Sequence, residues 1–297
     1  MKNGFSGPNV LRIAVPSKGR LRDDTLDLLK KASIRSASYT ERMPFSKTTN
    51  PLVDFYYVNA KEIPKDIELG AYDAGITGID MVEETNARVY VFLPLDFGKG
   101  ILRVAVKDES AYQSLEDLKN LKIATSYPNI TASYFGKRKI PVEILYRSGS
   151  VEISTRTGIS DAIVDIVSSG ATLIANNLRT MGDEVLKTEA ALITNSDISS
   201  NTVKNSTLES LNLILKGIIT AKKRCLVKLN APTKEIMDNI TSFIPSMRAP
   251  TISYLSNGEG WAVEVAVDEK QLPQLISDLK RHGARDILVS ELLMLVP

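Results

Sequence analysis

Ser160-Asp161-Ala162-Ile163-Val164-Asp165-Ile166-Val167-Ser168-Ser169-Gly170-Ala171-Thr172-Leu173-Ile174-Ala175-Asn176-Asn177-Leu178-Arg179 passes from an apolar run into a cluster of small residues. Ala162 to Val167 predicts a buried strand, with Asp161 and Asp165 breaking the apolar pattern. Ser168, Ser169 and Gly170 predict a turn, and a helix begins near Ala171 and Thr172. Small residues at a strand-to-helix turn let backbone N–H groups approach a ligand, and the helix dipole favours an anion there. Two carboxylates just upstream can accept bonds from sugar hydroxyls or hold a metal. The stretch alone fits a ribose-phosphate site and an ordinary capped β–α turn equally well. Asp165 can face the ligand or merely support the loop.

The same alternation extends in both directions. Leu11 to Val15 predicts a strand, Pro16-Ser17-Lys18-Gly19-Arg20-Leu21 a turn, and Leu21, Leu28, Leu29 and Ala32 the inner face of a helix. Lys18 and Arg20 beside a glycine suit a polyphosphate or a plain basic turn. Val53 to Val58 and Val89 to Leu93 predict further strands, and Ala71 to Asp80 a strand-to-helix passage rich in small residues. The pattern restarts with strands at Ile123 to Thr125 and Val142 to Tyr146, with Ser148 to Glu152 opening a helix. Repeated strand and helix argue for a mostly parallel α/β sheet. Two such units of roughly 90 residues predict two lobes with a cleft, and ligands bind such sheets at the carboxyl ends of their strands. Asn201 to Ala221 predicts a long amphipathic helix. Beyond it the predicted order becomes βαββαβ, the ferredoxin-like arrangement.

Composition narrows the chemistry. A formal charge of +2 over 297 residues argues against a broad nucleic-acid surface. Cys225 is the single cysteine, which excludes an intrachain disulfide and thiolate metal clusters and fits a reducing cytoplasm. His282 is the single histidine and sits beside Gly283 at a predicted helix end, so no histidine-based triad is expected. No apolar stretch is long enough to span a membrane, and Met1 to Asn9 lacks the apolar core of a signal peptide.

These residues together resemble the long form of the ATP phosphoribosyltransferase family, from about Leu11 to Val289. Asp161 to Leu173 resembles that family's phosphoribosyl diphosphate signature. Lys18-Gly19-Arg20-Leu21, Asp96-Phe97-Gly98, Ile123 to Pro128 and Gly149-Ser150-Val151-Glu152 support it, as do Ala249 to Ile252 and Gly283 to Val289 in the last domain. The resemblance implies a two-lobed catalytic region like type II periplasmic binding proteins and an ACT-like, ferredoxin-like regulatory domain. It divides the chain into lobe I at 1–106 plus about 190–221, lobe II at 107–189, and a regulatory domain at 222–297.

The implied reaction is attack of adenine N1 of ATP on C1 of the ribose of phosphoribosyl diphosphate, with release of pyrophosphate. The implied catalytic residues are Arg20, Asp161 and Glu152. Asp161, Asp165, Ser168, Ser169, Gly170, Ala171 and Thr172 would hold phosphoribosyl diphosphate, and Lys18, Gly19, Arg20 and Asp73 would hold ATP. Mg²⁺ is expected on the substrate's pyrophosphate, with no dedicated metal cage. Histidine is the implied inhibitor, at Asn230, Met247, Asp286 and Ser290. Asn230 stands where some relatives carry an acid, so it offers the effector an amide without a charge. A cytoplasmic homo-oligomer, dimer to hexamer, with no nucleic-acid or membrane partner, completes the expectation. The competing class is a two-lobed sensor or solute-binding module without catalysis.

Overall fold

The computed structural model describes residues 6–37, 44–167, 170–246, 249–256 and 258–296. It divides into two compact units, residues 1–208 and 209–297.

The first unit holds two sheets. β1 (Leu11–Pro16) leads through a turn into α1 (Arg22–Lys31), then β2 (Phe45–Lys47), β3 (Val53–Val58), α2 (Ile63–Glu68), β4 (Ala74–Gly78), α3 (Ile79–Thr85) and β5 (Tyr90–Pro94). The chain then crosses over into β6 (Gly100–Lys107), β7 (Lys122–Thr125), α4 (Pro128–Lys137), β8 (Glu143–Tyr146), α5 (Ile153–Arg156), β9 (Ala162–Val167), α6 (Ala171–Ala175) and β10 (Leu178–Thr188). It returns in β11 (Ala190–Thr194). The sheet orders are β2-β3-β1-β4-β11-β5 and β10-β6-β9-β7-β8.

The two orders are the same plan. Each sheet has a parallel core, β3-β1-β4 and β8-β7-β9, with one antiparallel strand donated from the other half of the chain beside it. That donated strand is β11 in the first sheet and β6 in the second. Two lobes joined by two crossings are the expected binding-protein-like plan. β6 begins at Gly100, so the first lobe gives up the extended segment Ile101 to Val106 that the boundary at 106 assigned to it. β4 and β11 are buried along their whole length, which is why their sequences run apolar or small without alternation.

The faces of the second sheet are distinct. Leu102, Val104, Val106, Ala162 and Val164 pack with Tyr127, Tyr134 and Phe135 on one side. Ala105, Ala124, Ile163 and Leu178 pack with Val151 and Leu173 on the other. The helix predicted after Gly170 lasts only five residues, and Leu178 and Arg179 already belong to β10.

α7 (Thr202–Ala221) spans the boundary between the units, so the compact division falls within the predicted helix and not at its end. The second unit continues with β12 (Arg224–Ala231), α8 (Lys234–Phe243), β13 (Thr251–Tyr254), β14 (Trp261–Asp268), α9 (Leu272–Arg281) and β15 (Arg285–Glu291). Its antiparallel sheet is ordered β13-β14-β12-β15, the ferredoxin-like order. Cys225, Val227, Leu229, Val263 and Val265 pack against Ile240, Leu275 and Leu279 of the helices. His282 closes α9, where its ring lies 4.8 Å from that of Phe243. Among the described residues no helix is long and apolar enough to cross a membrane.

Candidate active site

Parallel strands bring their carboxyl ends to one edge of a sheet, so the turns after β1, β4, β7, β8 and β9 are where a ligand would be met. A cavity of about 560 Å³ opens there. Lys18, Arg20, Lys61 and Asp80 line it from the first lobe, and Tyr127 and Tyr146 from the second. That volume suits a nucleotide-sized ligand. Lys61 Nζ lies 4.8 Å from the Tyr146 ring centre, a cation–π contact across the two lobes. A larger concavity of about 670 Å³ between α3, α4 and β10 mixes Glu83 and Glu184 with Lys137 and Arg138, and none of the strand-end turns listed above except the start of α4 reaches it.

Arg20 is held from two sides. Its Nη1 donates to the Gly98 carbonyl, and its Nη2 to Asp80 Oδ1 at 3.3 Å. Gly98 has φ +62°, and a Cβ there would stand 2.2 Å from Leu21 Cδ2, so this turn requires glycine. The motif Asp96-Phe97-Gly98 therefore serves the turn that carries Arg20. Asp80 is 1% exposed. Its Oδ1 accepts from Thr188 Oγ1 at 2.6 Å and its Oδ2 from Tyr127 Oη at 3.0 Å. Burial, then the nearby Asp80 carboxylate, pushes the Tyr127 phenol well above its ordinary range.

One turn further along α3, Glu84 is 2% exposed and accepts from the backbone N–H groups of Asn129 and Ile130. The amino terminus of α4 is thus already capped by a carboxylate and is closed to a substrate anion.

Asp165 lies near the carboxyl end of β9, half-buried. Its Oδ1 accepts from the N–H of Ile166 at 2.8 Å. Burial raises its carboxyl above the ordinary range; the Ile166 bond lowers it, Glu152 raises it, and Arg20 lowers it again. Arg20 and Glu152 are therefore both close enough to Asp165 to act on its charge. Arg20 lies in the turn after β1, Glu152 between β8 and α5, and Asp165 near the end of β9, so all three belong to the carboxyl-end edges of the two sheets.

Asp161 does not join this group. It stands before the first residue of β9, where its Oδ2 accepts from the N–H of Lys122 at 2.9 Å and its Oδ1 from Tyr112 Oη at 3.5 Å. Four residue steps along the strand separate it from Asp165, roughly 13 Å. Asp73 is also misplaced by expectation. It precedes β4, and its carboxylate is shared by Arg12 at 2.8 Å and Lys204 at 2.9 Å. Burial pushes Asp73 up, but the bonds from Arg12 and Lys204 outweigh it and hold the carboxyl below the usual range. Both acids sit at the amino ends of strands, the wrong edge of the sheet for the cleft.

Lys18 and Gly19 line the cavity beside Arg20, and Gly19 has φ +87°. Gly170 has φ +75° and Ala171 opens α6, so the backbone there is shaped as a tight turn. Ser168 and Ser169 lie outside the described residues, as does Met247 of the expected effector group. The side chain of Thr172 is likewise undescribed. In the second unit Asn230 Nδ2 donates to Asp286 Oδ2 at 2.9 Å, which brings two of the effector residues together. Ser290 pairs with Leu226, four residues along β12 from Asn230. Among the described residues no group of three potential metal ligands occurs.

The fold and the site define a two-lobed α/β protein whose cavity at the strand ends carries Lys18, Arg20 and Lys61, with an added ferredoxin-like domain. Residues 59–217 match the family described as ATP phosphoribosyltransferase, and residues 221–293 match that described as HisG, C-terminal domain. A relative from Methanopyrus kandleri, named ATP phosphoribosyltransferase, is 37% identical over 289 residues, 97% of this chain and 100% of the relative. One of the same name from Methanosarcina acetivorans is 37% identical over 294 residues, again 97% and 100%. Among solved structures, the ATP phosphoribosyl transferase (HisG:HisZ) complex from Thermotoga maritima aligns with a TM-score of 0.61 and 25% identity, over 70% of this chain and 99% of that one. The chain belongs to the ATP phosphoribosyltransferase family.

Proposed function

We propose that this chain transfers the phosphoribosyl group of phosphoribosyl diphosphate to N1 of ATP, the first step of histidine biosynthesis, with Asp165 as the carboxylate at the ribose. The adenine N1 lone pair forms the new bond to C1, and the C1–O bond to pyrophosphate breaks with its electron pair leaving on oxygen. Positive charge develops on the ribose and negative charge on the leaving group. No protein nucleophile is needed, so the chain's work is positioning and electrostatics. Asp165 and Glu152 would face the ribose, accepting from its hydroxyls and offsetting the positive charge. Lys18 and Arg20 would meet the pyrophosphate, which brings Mg²⁺ as part of the substrate. Backbone N–H groups around Gly170 and Ala171 would hold the 5′-phosphate, with Ser168, Ser169 and Thr172 completing the loop.

The observation that carries this reading is the cavity at the strand ends, lined by Lys18 and Arg20 from one lobe and by Tyr127 and Tyr146 from the other, in a chain that belongs to the ATP phosphoribosyltransferase family. Pyrophosphate release from ATP plus phosphoribosyl diphosphate with Mg²⁺ tests it. Tight ligand binding without turnover would favour a sensor or solute-binding module instead. Histidine would bind the second unit beside Asn230 and Asp286 and lower turnover of a cytoplasmic homo-oligomer. A histidine titration of the same assay reads that directly.

A further inference from the structure

We propose that Asp80 is a positioning residue, setting the guanidinium of Arg20 in the cleft through a buried bracket that it forms with Thr188 and Tyr127. The inference rests on the phosphoribosyl-transfer reading and adds a residue to it.

A buried carboxylate needs donors for its oxygens. Asp80 has them without Arg20: Thr188 Oγ1 serves Oδ1 and Tyr127 Oη serves Oδ2. The backbone N–H of Asp80 also donates to Thr188 Oγ1 at 3.0 Å, which locks the pair. The contact to Arg20 is therefore additional to what the fold needs. It is also directional, because both oxygens of the Asp80 carboxylate are already held, by Thr188 and by Tyr127. A Cβ on Gly78 would lie 2.0 Å from Asp80 Oδ1, so the carboxylate is packed directly against the backbone that ends β4.

Arg20 is a long side chain on an exposed turn, 36% exposed. Free in solvent it would sample many rotamers, and ordering it costs conformational entropy. Asp80 takes Nη2 and the Gly98 carbonyl takes Nη1, each by one of that nitrogen's two protons. Nε–H and the remaining Nη protons stay available to a polyanion. The bracket draws its parts from the turn after β1, the start of α3, the end of β10 and the turn after β7. Arg20 is thereby referred to both lobes.

A merely structural Asp80 and a positioning Asp80 differ in measurable ways. The variants are Asp80→Asn, Arg20→Ala, their combination, and Tyr127→Phe, made in the full chain. In steady state Asp80→Asn is expected to lower kcat roughly 10- to 100-fold and change KM for ATP less than about threefold. Combined with Arg20→Ala it should add almost nothing, because both changes remove one interaction. Calorimetric binding of inorganic pyrophosphate reads the same coupling without turnover. Its Kd should rise about tenfold in either single variant and no further in the double. Tyr127→Phe leaves the Arg20 contact and loosens the bracket, so it should show the same pattern at smaller size and carries the test if Asp80→Asn does not fold. Losses that multiply in the double variant would overturn the proposal. So would unchanged kcat and unchanged pyrophosphate affinity in a folded Asp80→Asn. Wild-type protein that releases no pyrophosphate from the two substrates would instead contradict the activity, a separate failure.

Discussion

Asp165 and Asp161 are four residues apart on the same strand direction, yet their surroundings ask for opposite behaviour. Asp165 is an acid made uncomfortable by burial and by Glu152. A carboxyl whose folded pKa lies above its unfolded value, near 3.9, is most favourable when protonated, and stability falls as pH rises through the folded value. Asp165→Asn removes that cost. It should leave Tm unchanged or higher while kcat falls about 100-fold, read by thermal unfolding beside pyrophosphate release. Asp161 accepts from the Lys122 N–H at the head of β7. Asp161→Asn should lose about 2 kcal/mol of stability, a fall of about 5 °C in Tm, with kcat within a few-fold of wild type. Those two outcomes reversed would return the ribose to Asp161. The pair of acids was legible in the sequence, but the choice made there fell on Asp161, with Asp165 left to help or merely to support the loop. The strand-end rule separates them by position: Asp73 and Asp161 precede their strands, whereas Asp80 and Asp165 follow or close theirs. Asp80 was passed over because Gly78-Ile79-Asp80 reads as a common tight turn, and its partners Tyr127 and Thr188 are 47 and 108 residues away.

At the scale of elements, α3 is the part with two tasks. Its first residues bring Asp80 to Arg20, and its next turn brings Glu84 to the amino terminus of α4. The strand β4 must therefore end on a residue with no side chain. Gly78→Ala forces its Cβ against the Asp80 carboxylate, which Thr188 and Tyr127 hold in place. It should destabilise by about 2 kcal/mol and lower kcat with it, measured by denaturant unfolding and the transfer assay. A variant with native stability and native kcat would show that α3 shifts freely. The alternation of strands and helices was legible throughout, because period-two and period-3.6 patterns survive without tertiary information. The long β10 was not legible from its start. Gly182 and Asp183 interrupt it, and its register against β6 shifts between Met181 and Leu186. The start of α6 was legible at Ala171, but its end after five residues was not, because β10 follows at once with an apolar residue, Leu178.

The whole molecule joins two α/β lobes of shared topology with a ferredoxin-like unit. The lobes were legible because their plan repeats, and the membership of β6 in the second sheet was not, because a donated antiparallel strand looks locally like any other. Stability away from the cleft rests partly on Asp73, which ties β1 through Arg12 to the start of α7 through Lys204. Its folded pKa is depressed, so its contribution is present above about pH 4 and is lost as pH falls through the lower folded value. Asp73→Asn should cost about 3 kcal/mol at neutral pH and flatten the acid limb of the stability curve, while KM for ATP stays unchanged. A raised KM with unchanged stability would place Asp73 at the nucleotide after all.

Transfer depends on where the sugar is held. Pyrophosphate release from ATP and phosphoribosyl diphosphate with Mg²⁺, measured for the wild type and for Asp165→Asn with Tm recorded on the same samples, tests this most directly. Turnover by the wild type, with a loss of about 100-fold in the variant at equal or higher Tm, is the predicted result. A variant that turns over at the wild-type rate would contradict it.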